Sequence, residues 1–147
     1  MTLISILLAF LGGTFLTLQV GVNAQLRLLI GHPIYATFIS FCIGTLYLFV
    51  ASLTVHTPWP SFGRFLQIPW WAWTGGVLGA TYLWFAVLVA PRLGATVLVG
   101  LIVAGQLAAS LLLDHYGLLG FPLHPINPYR ALGAILLVSG VILIRQF

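Results

Sequence analysis

Asp114 is the one acidic residue in the chain. Gln106, Ser110 and Asp114 stand at i, i+4 and i+8, a spacing that puts them on one stripe of a helix. A lone carboxylate in apolar surroundings has three uses: it binds a cation, carries protons, or pairs with an arginine, here one from a partner chain. Gln106 either lines a cavity or hydrogen-bonds a neighbouring helix, and the Ser110 hydroxyl has the further option of bonding a backbone carbonyl of its own helix. Gln19 and Asn23 form a second pair at i, i+4 and share a face. Their amides donate and accept without charge, which suits a neutral or zwitterionic ligand better than a proton; hydrogen bonding between helices is the alternative. Tyr82 and Trp71 have rings that can stack on a flat or cationic ligand, or pack against protein and lipid. These seven residues are the candidate substrate-binding set. No catalytic set accompanies them. Intramembrane chemistry needs converging acids, bases or a metal, and one Asp with scattered histidines does not supply them. His32, His56 and His124 fall in connecting segments without metal-ligand spacing. His115 follows Asp114 directly, so the two do not share a helical face. Cys42 sits in an apolar run and reads as packing. No nucleotide-binding motif is present, and no cofactor or metal is expected.

The elements that carry these residues follow from composition. Of 147 residues, 61% are hydrophobic and 4% are charged, against about 25% charged in a soluble domain. Five arginines, one aspartate and no lysine or glutamate cannot cover a water-facing globule. The arginines are scattered, so the net charge of +4 makes no footprint for nucleic acid. The solvent is hydrocarbon. Five apolar runs reach the ~20 residues that a spanning helix needs, and they predict helices over 3–25, 33–53, 70–90, 94–116 and 128–144. Pro33 fits a helical first turn, and Asn127-Pro128 reads as a helix cap followed by proline. The segment from His56 to Pro69, with Pro58, Pro60, Gly63 and Arg64, reads as a loop, and Pro91-Arg92 as a very short connection. Continuous apolarity without alternation excludes a β-barrel. Trp59, Trp70, Trp71 and Trp73 suit the headgroup belt. Val22-Asn23-Ala24 is faintly like a signal-peptide cleavage site. No basic segment precedes it, however, and the apolar run is too long for one, so it is expected to remain a membrane helix. The small residues Gly100, Ala104 and Ala108 in the fourth span, and Gly75 and Gly79 in the third, favour close helix packing. The expected fold is all-α, a single five-helix membrane domain over 1–147.

Arginine placement gives little orientation signal. Arg64 and Arg130 fall on the face of the membrane that holds the N-terminus, and Arg27, Arg92 and Arg145 fall on the other. The positive-inside rule needs a clear bias in short loops, and two against three does not provide one. A chain that inserts both ways can pair with its inverted copy, reproducing within a homodimer the inverted repeats of many transporters. The expected assembly is an antiparallel, dual-topology homodimer of ten helices in lipid.

The residues also carry a resemblance. Val97-Leu98-Val99-Gly100-Leu101-Ile102-Val103-Ala104-Gly105-Gln106-Leu107, with Ser110-Leu111-Leu112-Leu113-Asp114-His115-Tyr116-Gly117-Leu118-Leu119-Gly120 after it, closely resembles the YdcZ-type family, a five-helix branch of the drug/metabolite transporter superfamily. Leu18–Leu26 and Pro69–Ala80 resemble the same family's first and third helices. The resemblance implies a multi-pass protein of the bacterial inner membrane, an antiparallel dimer, and transport of a small molecule that it does not identify. In longer ten-helix relatives the first, third and fourth helices of each half line the cavity, which points to the corresponding helices here. The related small multidrug resistance proteins export cations against protons with a glutamate in the first helix. This chain has Gln19 and Asn23 there and no glutamate, a departure that counts against that coupling. The functional expectation is a secondary transporter working by alternating access. The alternative is a non-transporting scaffold or accessory subunit whose polar residues only join helices.

Overall fold

The computed structural model describes residues 3–55 and 59–146; His56 and Pro58 of the expected loop lie outside the described residues. The elements are α1 (Leu3–Ile30), α2 (Pro33–Ser52), a short α3 (Phe62–Leu66), a 3-10 turn (Trp70–Trp73) that runs directly into α4 (Thr74–Leu93), α5 (Ala95–Tyr116), a second 3-10 turn (Leu118–Gly120) and α6 (Pro128–Gln146). Among the described residues there is no strand. Five of these stretches, Leu3–Ile30, Pro33–Ser52, Trp70–Leu93, Ala95–Tyr116 and Pro128–Gln146, are long and apolar enough to cross a membrane. The chain divides into two compact units, Met1–Pro91 and Arg92–Phe147.

In the first unit α1 and α2 pack together across the two-residue break at Gly31 and His32. Gly31 stops α1 with a φ of +89°, a conformation open to glycine because it has no Cβ. His32 then caps α2 through its ring nitrogen Nδ1, which accepts from the Ile34 amide at 3.3 Å. Pro33 takes the first helical position, where its missing N–H costs nothing. The first helix is longer than the apolar run implies, continuing past Gln25 through Arg27 to Ile30. Arg27 is accommodated because its Nη1 donates to two α4 carbonyls, Val87 O at 3.1 Å and Leu88 O at 3.0 Å. Helix α4 also departs from expectation, because Pro91 and Arg92 lie inside it and not in a connection. The break falls at Gly94, with φ of +74°. The segment expected as loop holds the five-residue α3, capped by Ser61, whose carbonyl accepts from the Arg64 amide at 2.9 Å. The Phe65 ring stacks on Trp73 with centroids 6.2 Å apart.

In the second unit α5 packs on α6. Gly117 closes α5 in the left-handed conformation, its amide bonding the Leu113 carbonyl, as helix C-termini commonly do. The Asn127 side chain accepts from the Arg130 amide at 2.9 Å and so caps α6 ahead of Pro128. Gly100 of α5 packs against Val141 of α6, where a Cβ at position 100 would stand 2.9 Å from Cγ2 of Val141. Glycine is therefore required there by space, not by backbone angle. Gly100→Ala is expected to destabilise the chain by about 1–3 kcal/mol through overpacking. Val141→Ala in the same chain is expected to recover most of the loss. Thermal unfolding of the purified protein in detergent checks both; an unaltered melting temperature for Gly100→Ala would contradict this packing.

Candidate functional site

The seven candidate residues meet very different fates. In α1, Asn23 is buried, 3% exposed, and its Nδ2 donates to Ser40 Oγ of α2 at 3.1 Å. Its i−4 neighbour Gln19 is exposed, and among the described residues its amide has no hydrogen-bond partner. The shared face expected from the spacing is thus divided. Residues at i and i+4 lie about 40° apart around a helix, enough for one to meet α2 and the other to miss it. Trp71 lies in the 3-10 turn ahead of α4 and is exposed, while its carbonyl accepts from Thr74 Oγ1 at 2.7 Å. Tyr82 is half-buried in α4.

In α5, Gln106 is exposed and, among the described residues, unpaired like Gln19. Ser110 is exposed, and its hydroxyl donates to the Leu107 carbonyl of its own helix at 3.0 Å, the local alternative open to such hydroxyls. Asp114 pairs with Arg130 of α6. The pair is the centre of a small network. Arg130 Nη1 also donates to the His124 carbonyl, and the His124 amide donates to the Asp114 carbonyl at 2.8 Å. His115 Nδ1 accepts from the Ile126 amide at 3.0 Å, so this ring is held by a different partner from the neighbouring carboxylate. Together these bonds fasten the segment between α5 and α6. It contains Leu119, the one described non-glycine residue with positive φ, at 54°, a conformation disfavoured by about 1–2 kcal/mol for a residue with a Cβ.

Arg130 was missing from the candidate set. Its signal was present in the sequence: one acid and one arginine flank the same connection, on the same face of the membrane. The Asp114 and Arg130 side chains keep 23% and 31% of their surface exposed, which moderates the strength of the pair. Among the described residues no three His, Cys, Asp or Glu side chains converge on a metal position, and no buried side-chain nitrogen or oxygen lacks a partner. Among the seven candidate residues the arrangement therefore separates polar groups that hold the fold, namely Asn23, Ser110 and Asp114, from two amides without a partner, Gln19 and Gln106. A double-mutant cycle with Asp114→Asn and Arg130→Met, read by thermal unfolding in detergent, is expected to show a coupling of about 1–3 kcal/mol. Additive losses would mean that the pair contributes nothing of its own.

Comparison with known proteins agrees with the geometry and with the resemblance. A family model described as "Putative inner membrane exporter, YdcZ" matches residues 4–143. "Inner membrane protein YdcZ" of Escherichia coli (strain K12) is 32% identical over 101 residues, 67% of this chain and 66% of that protein. That match spans just under two thirds of the relative's own length, 66%. No solved structure matches the chain. With five spanning helices in place and the family model covering nearly the whole sequence, the chain belongs to the YdcZ family of multi-pass inner-membrane proteins.

Proposed function

We propose that the chain is a secondary transporter of small polar molecules, exporting by alternating access as an antiparallel homodimer of ten helices. The observation that carries this reading is the pair of unpaired amides, Gln19 on α1 and Gln106 on α5, both exposed on spanning helices. A glutamine facing lipid tails loses its hydrogen bonds with water and gains none, a cost of several kcal/mol. Polar side chains on membrane helices accordingly face the bundle interior, a water-filled cavity or another chain. The family description as an exporter supports the first two of these. So does the chemistry: an amide both donates and accepts, so each can contact a neutral or zwitterionic solute without a fixed charge. The balanced placement of arginines supports pairing with an inverted copy, and inverted repeats are a common transporter architecture. In this reading Asn23 holds α1 to α2 beside the site, Asp114 secures the α5–α6 connection, and Tyr82 and Trp71 flank the solute path.

The test uses purified protein in liposomes and a panel of labelled amino acids, nucleosides, sugars and organic cations. Saturable, protein-dependent flux of at least one of these solutes is expected. Gln19→Leu and Gln106→Leu are each expected to lower that flux about tenfold, the value of one lost hydrogen bond, with dimer content unchanged. Absence of flux across the panel, with both substitutions altering assembly instead, would favour a scaffold whose amides join chains.

A further inference from the structure

Helix α4 contains a defect that a residue of another helix repairs. In an α-helix the carbonyl of residue i is bonded by the amide of residue i+4. For Val87 that residue is Pro91, which has no N–H and whose ring crowds the same carbonyl. Val87 is wholly buried, 0% exposed, so water does not take the place of the missing donor. Arg27 of α1 does. Its Nη1 stands 3.1 Å from Val87 O and 3.0 Å from Leu88 O. A guanidinium at a helix C-terminus is also favoured by the helix dipole. Because one nitrogen serves both carbonyls, a single rotation of the arginine side chain releases both together. The turn it secures runs to Leu93, where Gly94, at φ of +74°, ends the helix. The chain passes from its first compact unit to its second at Pro91 and Arg92, within that same turn.

We infer that Arg27 is a clasp on a proline hinge: it supplies the hydrogen bond that Pro91 withholds and a second to the next carbonyl, and the last turn of α4 opens when it lets go. The clasp stands on this geometry alone; its use as the moving joint of the transporter rests on the alternating-access reading above. The clasp opens by competition for its donors or by displacement of α1.

Hydrogen exchange of the full-length protein in lipid nanodiscs tests this, read at the Arg92 and Leu93 amides in a peptide over 89–96. Arg27→Met is expected to speed their exchange about tenfold, with the α1–α2 amides unchanged. Pro91→Ala restores an amide to position 91, so the double variant is expected to return close to the original rate. Pro91→Ala alone is expected to slow exchange in the turn, an outcome that does not depend on Arg27→Met folding. A double variant that exchanges as fast as Arg27→Met, or Pro91→Ala without effect, would overturn the clasp. A chain that transports solute yet fails this test keeps the transporter reading and loses the hinge. One that passes without measurable flux keeps the clasp.

Discussion

Hydrocarbon offers no hydrogen bonds, so every polar group carried into it must be met from within the protein or leave a debt of several kcal/mol. Several of this chain's described polar side chains answer that demand locally. Thr14 and Thr17 donate to carbonyls one turn back, at 3.1 Å each, and Thr37 does the same at 3.0 Å. Where the local option is missing, a helix neighbour provides: Ser40 for Asn23, Arg130 for Asp114, and the α4 carbonyls for Arg27. The positions of the helices within each unit follow from these few bonds together with the close contact of Gly100 and Val141. Apolar burial alone would specify little here, because the lipid surrounding each helix is as apolar as the side chains between them.

The same constraint gives the unpaired candidate glutamines Gln19 and Gln106 their meaning. Gln19 and Gln106 stand on spans that also carry satisfied polar groups, and they are exposed where Asn23 is not. A single chain leaves them to the lipid. An inverted copy, or a hydrated path between copies, would not. The chemistry of the site and the assembly of the protein are in this way one question, since the groups that could bind a solute are those the lone chain leaves unsatisfied.

What the sequence makes legible follows from the range of the forces involved. Five spans can be read from it because length and continuous apolarity are local properties, and so can the caps at Pro33 and Asn127. The connection expected at Pro91 is misplaced for a physical reason: proline ends helices when nothing replaces its donor, and here the replacement comes from Arg27, far away along the chain. The same bond explains why α1 continues past Gln25. The short α3 escapes notice because five residues carry no periodicity to read. In the site, helical spacing places Gln19 and Asn23 on one face but does not tell which of them α2 covers. It aligns Asp114 with Gln106 and Ser110, although the carboxylate turns to Arg130 across the connection. Spacing describes one helix; the partner that claims each side chain belongs to another.

The central claim is that this chain works beside an inverted copy of itself, and the sidedness of its C-terminus tests that most directly. With Cys42 replaced by serine and one cysteine added after Phe147, intact cells are labelled with an impermeant thiol reagent before and after permeabilisation. Inversion predicts that about half of the molecules label from outside. Labelling from one side only would contradict the antiparallel homodimer and direct the search to a separate partner of opposite orientation.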